Sequence, residues 1–296
     1  MALWAFMAAL QRRIGMGRRA ALALCALLLP VLLAPVSAAE PEVAAKSALA
    51  TIRQAGELKV ALYKDFAPFS NDGKGIDVDL AQALAAKLGV KMTPLWFEAG
   101  EKMEDDFRWM VVKGHPLGFG PADVMMHVPV DAEYMKRLTQ VEIFAPYHRE
   151  RFAIARNLEK LPNLDSLDPL EKQPPAVEGD TLAAMVMLST DSGRYRNSLK
   201  IFKTAEEAIN ALKSGAVDSA IAQQGELEGG LFGLKGYAIE LVPQPVLQLK
   251  QWALGLAVKA ENKDLALALQ AAMNEMMADG TVRKIMLGYG VKYRQP

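Results

Sequence analysis

The side chains able to do chemistry in this 296-residue chain fall into three small groups. His115, His127 and His148 lie within 34 residues of one another, with Asp131, Glu133 and Glu150 nearby. Nitrogen and oxygen donors in that mixture suit a transition metal, but the spacings match no zinc pattern. The competing reading is a set of surface, loop and hinge histidines, with His127 alone facing a cleft. Glu98 and His127 could act as an acid–base couple, a suggestion that rests on spacing, and no nucleophile–base pair accompanies them. Asp77 and Asp79 form the second group, either a metal pair or first-turn acids that a helix dipole favours. Gly179, Asp180 and Thr181 form the third. Backbone N–H groups at a helix start can receive an anion, but the charge of Asp180 opposes one, and its other reading is an N-cap. None of these groups carries an expectation of catalytic residues, metal or cofactor.

The elements that must position these residues follow from pattern. Arg12, Arg13, Arg18 and Arg19 precede an uncharged apolar run over 20–33, followed by Val36-Ser37-Ala38-Ala39. A basic region, an apolar region and a small-residue cleavage site predict a secretory signal peptide over 1–39. The run is shorter than the ~20 residues of a spanning helix, so the product is expected to be periplasmic, with no membrane span after cleavage. The single cysteine, Cys25, falls in that leader, leaving no thiol chemistry in the remainder. Four of the 34 basic residues lie there and none of the 34 acidic ones. The rest is mildly acidic, with no electrostatic footprint for nucleic acid.

Beyond the leader, strands alternate with helices. Residues 58–62 read as a strand, and Leu80, Leu84 and Leu88 recur at i+4 over a helix stopped by Gly89. A second strand covers 91–97. Segment 98–121, with three glycines and Pro116 close together, reads as an ordered loop. Residues 122–126 form a buried strand, and 143–154 an extended one. Thr204 with Glu207 makes a capping box, a strand follows at 217–222, and Leu265, Leu269, Ala272 and Met276 share a helical face. This alternation predicts α/β layers with mostly parallel sheets, and its repetition suggests two similar lobes.

The order of motifs resembles the family 3 periplasmic solute-binding proteins, the polar-amino-acid-type receptors of ABC importers. The resemblance opens with LKVALYKDFAPFSNDGKGIDVDLAQALAAKLGV and continues through GPADVMMHVPV, IFAPYHRERFAIA and AEEAINALKSGAVDSAIA. It closes with LGLAVKAENKDLALALQAAMNEMMADGTVRKIMLGYG, so it spans nearly all of the chain after the leader. It implies the type II two-lobe periplasmic-binding-protein fold, each lobe a mixed, mostly parallel sheet flanked by helices, joined by a two-strand hinge. Lobe 1 would be 52–147 plus 257–296, lobe 2 would be 150–252, and the hinges would lie near Tyr147-His148 and Ala253-Leu254. The implied partners are a small-molecule ligand and an ABC permease, and the protein would be a monomer.

The resemblance also implies a cleft. Phe66 would stand over the ligand while Phe69 packs the lobe. Phe97 and Glu98 would line the end of the second strand, and His127 and Val128 the third, where receptors of this kind show small hydroxylated residues. Gly179, Asp180 and Thr181 would contribute from the second lobe. Two departures stand out. Gln223 replaces the aspartate that holds the ligand ammonium, and the carboxylate-binding arginine would be Arg137 only across a two-residue insertion. An amide is a poor partner for a buried ammonium, because an unpaired buried charge costs several kcal/mol, which argues against a zwitterionic α-amino acid. Segment 96–131 is also similar to solute-binding-type proteins encoded beside PQQ-dependent alcohol and methanol dehydrogenases. That second likeness implies an accessory partner of a periplasmic quinoprotein dehydrogenase, with the Trp109–Phe119 loop as contact surface.

Overall fold

The structure is a computed structural model that describes residues 47–100 and 102–296. The expected signal peptide lies outside the described residues. Among those described, no helix is long and apolar enough to cross a membrane.

The first half runs α1 (Ala48–Ala55), β1 (Glu57–Tyr63), α2 (Ile76–Leu88), β2 (Lys91–Phe97), α3 (Met103–Phe107), β3 (Val124–Val130), α4 (Ala132–Met135) and the long β4 (Val141–Asn157). Next come β5 (Ala176–Glu178), α5 (Leu182–Ser189), β6 (Lys200–Phe202), α6 (Ala205–Lys213), β7 (Ser219–Gln223), α7 (Gln224–Gly230) and β8 (Tyr237–Glu240). The chain ends with α8 (Pro245–Leu249), β9 (Gln251–Lys259), α9 (Lys263–Ala278) and α10 (Thr281–Gly288).

The strands pair in the order β2-β1-β3-β9-β4-β7-β5-β6, with β8 also on β4. Pairing is parallel at both ends, β1 with β2 and β3, β5 with β6 and β7. It is antiparallel through the middle, where β4 and β9 cross side by side from Val141↔Lys259 to Arg151↔Gln251. Parallel pairing is thus confined to the two ends of a mixed sheet.

Strand alternation explains the packing. Leu58, Val60 and Leu62 of β1 face one way, onto Leu80 and Leu84 of α2 and Leu269, Met273 and Met276 of α9. Ala61 faces the other way, onto Phe97, Phe107, Met110 and Met125. The far end of β4 repeats the device. Phe152 and Ile154 pack with Val177, Met187, Tyr195 and Ile221, while Ala153 and Ala155 pack with Ile209 and Leu212. Two such sandwiches, joined through β4 and β9, make a two-lobe α/β fold.

Segment 98–121 departs from the expected loop. Residues 103–112 are helical: α3 continues through a π-helical turn, Arg108–Val112. Phe107, Met110 and Val111 are buried there at helical spacing. The breakers Gly114, Pro116, Gly118 and Gly120 all fall after that turn, where 113–121 is loop. Thr204 caps α6 by accepting from the Glu207 N–H at 3.1 Å, but Glu207 reaches back to Lys203 N–H rather than to that of Thr204.

Candidate functional site

The parallel strands of both lobes deliver their carboxyl ends to a single cavity of about 760 Å³. Ligands in open α/β sheets characteristically bind at such ends. Tyr63, Lys64, Asp65 and Phe66 come from the end of β1, Glu98 and Ala99 from that of β2, Met103 from α3, and His127 and Pro129 from β3. The other lobe contributes Glu178 at the end of β5, Lys203 and Thr204 after β6, and Gln223 at the end of β7. Trp252 and Leu254 of the crossing strand β9 form the floor.

His127 is the most constrained of these. Its Nδ1 lies 2.9 Å from Asp77 Oδ2, and the Tyr147 hydroxyl donates to Asp77 Oδ1 at 2.7 Å. All three side chains are buried. The imidazole is held edge-on by Phe66 and Phe69, with ring centroids 4.7 and 4.4 Å away. Its backbone sits at φ 60°, beside a register shift between Met125 and Val128 in the β3–β9 pairing. A non-glycine residue in the left-handed region beside a cavity is the kind of strain that clusters at functional sites. Burial, then the charge of Asp77, raises the Tyr147 hydroxyl well above its ordinary pKa, so it remains a donor.

The second lobe supplies an uncommon carboxyl pair. Burial pushes Glu178 above the usual carboxylate range. Glu226, behind Gln223, is pushed up further by burial and by the charge of Glu178, although it accepts the Gln223 N–H at 3.0 Å. On the opposite wall the Tyr63 hydroxyl donates to Asp106 Oδ2 at 2.7 Å, so Tyr63 offers the cavity its ring. Lys64 lies 3.8 Å from Glu98. Two buried polar atoms of the wall, His127 Nε2 and Gln223 Oε1, have no hydrogen-bond partner.

The lobes meet beside the cavity where α7 receives the turn after β1. A Cβ on Gly229 would lie 2.5 Å from Pro68 Cγ, and one on Gly225 would lie 2.8 Å from Phe69 Cζ. Only glycine permits this approach.

Of the residues singled out from the sequence, Phe66, Glu98, His127 and Gln223 line the cavity. The others are placed elsewhere. Phe97 is buried behind the wall against Phe119, and Val128 is buried in the same cluster, because the strand pleat turns both from the cavity. Arg137 is exposed, its guanidinium over the Tyr134 ring at 5.5 Å. Thr181, not Asp180, caps α5 by accepting from Ala184 N–H, and neither it, Asp180 nor Gly179 reaches the lining. The two helix-start aspartates point to different partners, Asp77 to His127 and Asp79 to the Tyr289 hydroxyl. His115 stacks on Phe119, and His148 lies in a buried ion-pair cluster. No group of three potential metal ligands occurs among the described residues. Sequence reasoning missed Glu178, Lys203 and Trp252. Strand-end position is the signal that could have found the first two, but β5 and β6 are only three residues each.

No family model matches the chain, and no curated protein matches it. Solved structures do. An ancestral cationic amino acid solute-binding protein superposes with a TM-score of 0.65 at 22% identity, covering 82% of this chain and 100% of its own. An amino acid ABC transporter substrate-binding protein from Streptococcus pneumoniae, bound to L-arginine, gives 0.61 at 23%, covering 83% and 98%. A mutant of ArgBP from T. maritima gives 0.57 at 20%, covering 81% and 98%. What the chain shares with them is the two-lobe α/β fold of solute-binding proteins.

Proposed function

We propose that this protein is a periplasmic receptor that captures a small polar solute between its lobes and presents it to an ABC importer. The observation that carries the reading is the pair of orphaned atoms, His127 Nε2 and Gln223 Oε1, one from each lobe, on the wall of one cavity. A buried polar atom without a partner costs about 1–3 kcal/mol. Two of them, in residues that line a common space from opposite lobes, are best accounted for by a ligand that satisfies both. The lobes would be those bounded at 52–147 plus 257–296 and at 150–252, with β4 and β9 as the hinge, so that closure on the solute changes the shape a permease reads. No catalytic step is required. The accessory role beside a quinoprotein dehydrogenase rests on segment 96–131 alone and draws no support from the similar structures.

Thermal denaturation against amino acids, amines, organic acids, alcohols and PQQ tests the reading. A solute that binds only the folded state at 100 times its Kd adds about 2.7 kcal/mol, which raises Tm by several degrees. No shift across the panel, together with capture of a quinoprotein dehydrogenase, would replace receptor by accessory factor.

A further inference from the structure

We propose that His127 is the residue that reads the ligand, and that the group it reads is an amine, held by an Nε2 acceptor fixed in place by Asp77 and Tyr147. The inference rests on the receptor reading and specifies the chemistry of its site.

Asp77 fixes the tautomer. An ionised carboxylate only accepts hydrogen bonds, and this one, in the first turn of α2, takes the Tyr147 hydroxyl on Oδ1 and faces His127 Nδ1 with Oδ2. Nδ1 therefore carries a proton, and in the neutral ring, the form the proposal requires, Nε2 presents a lone pair. Phe66 and Phe69 pack edge-on against the ring, and Nε2 has no protein partner. The buried acceptor is left for whatever fills the cavity.

The rest of the wall narrows the occupant. Gln223 Oε1 is a second unpartnered acceptor, and the Glu178 carboxyl a third oxygen acceptor on the same lobe. Tyr63, Phe66 and Trp252 add aromatic rings, whose faces attract cations. Lys64, beside Glu98, and Lys203 also line the cavity, against the three acids Asp65, Glu98 and Glu178. Acids that outnumber the lysines, together with the acceptors and rings, complement a group that only donates and carries positive charge, which is an amine. The same carboxylate-backed histidine would suit a metal ion, but the cavity lacks a three-ligand group among the described residues.

Two measurements test this on the intact protein. Long-range ¹H–¹⁵N spectra of the free protein should show His127 with Nδ1 protonated and Nε2 bare. Calorimetric titration with putrescine and phenethylamine, against 1,4-butanediol, 2-phenylethanol, succinate and Zn²⁺, should show binding by an amine and a displaced Nε2 resonance. His127→Phe should weaken amine binding by about 10- to 100-fold, the size of a hydrogen bond to a charged group. His127→Gln, whose amide can still donate to Asp77 and accept from a ligand, should restore part of it. A protonated Nε2 in the free protein overturns the proposal, as does preferential binding of a diol, alcohol, carboxylate or zinc; in those cases the receptor reading stands. Binding by none of these probes also overturns it, and the receptor reading then depends on the wider thermal panel. The spectra decide the tautomer even if His127→Phe fails to fold.

Discussion

Two buried histidines of this protein sit in opposite circumstances. His148, on β4 where it crosses between lobes, is fully satisfied. Its Nε2 lies 2.9 Å from Glu150 Oε1, and its Nδ1 accepts from the Arg294 N–H at 3.3 Å. Arg294 in turn donates to Glu150 at 2.8 Å and to both oxygens of Glu228 at 3.0 Å, tying the C-terminal tail to β4 and α7. His127 has the same partner type on one nitrogen and nothing on the other. Networks in which every group is satisfied rigidify a structure, whereas a half-satisfied one is costly unless something completes it. One cluster holds the molecule together; the other is left incomplete, as the proposed ligand contact requires.

That contrast can be broken from either side. The largest effect is expected at Arg294. Arg294→Met leaves the buried carboxylates of Glu150 and Glu228 without their cation, and breaking a buried pair costs about 3–5 kcal/mol. Urea unfolding should show this loss, while ligand affinity per folded molecule changes little. Equal loss of affinity would mean that the two clusters are not separate in role.

Next comes the contact between lobes. Gly229→Ala places a methyl group against Pro68, and overpacking of this kind costs about 1–3 kcal/mol. If that contact belongs to the closed arrangement, the penalty should fall on ligand affinity, measured by calorimetry, more than on the unfolding midpoint. A pure stability loss would assign the contact to folding instead.

The pH dependence should have two limbs of opposite sign. Burial raises the Glu150 carboxyl, but the hydrogen bond and charge of His148 and the charge of Arg294 outweigh it and hold the group below its usual range. Its stabilisation is present above the ordinary glutamate pKa and is lost as pH falls through the depressed one. Glu226 is raised, so its contribution is full below the ordinary value and is lost as pH rises toward the raised one, by about 1.4 kcal/mol per unit while only the unfolded state has ionised. Glu226→Gln should shrink the alkaline limb, to which the raised Glu178 also contributes, and leave the acid limb intact, read from urea midpoints between pH 3 and 9. An unchanged alkaline limb would show that Glu226 is not its source.

Local pattern made much of the fold legible and little of the site. The i+4 leucines of α2, the Thr204 cap and the Leu265–Met276 face are short-range signals, and each is present in the structure. Glu98 and Gln223 could be placed only through the family resemblance, which sets them at the ends of the second strand and of the strand at 217–222. The Asp77–His127–Tyr147 chain could not, since its members are 50 and 70 residues from Asp77 and meet only when β3 and β4 pack against α2. Read locally, Asp77 is a first-turn acid, which it also is. Helical spacing in 103–112 was hidden by the glycines that follow it, and nothing local tells that the pleat turns Phe97 inward while Glu98 faces the cavity.

Thermal denaturation of the wild type, His127→Phe and Arg294→Met, each with and without the solute panel, tests the central claim most directly. The account predicts that one class of small solute raises the wild-type Tm by several degrees. The same class should raise the already lowered Tm of Arg294→Met by a similar amount and leave His127→Phe almost unmoved. If no solute shifts the wild type, or if His127→Phe responds as the wild type does, the cavity is not the binding site described here.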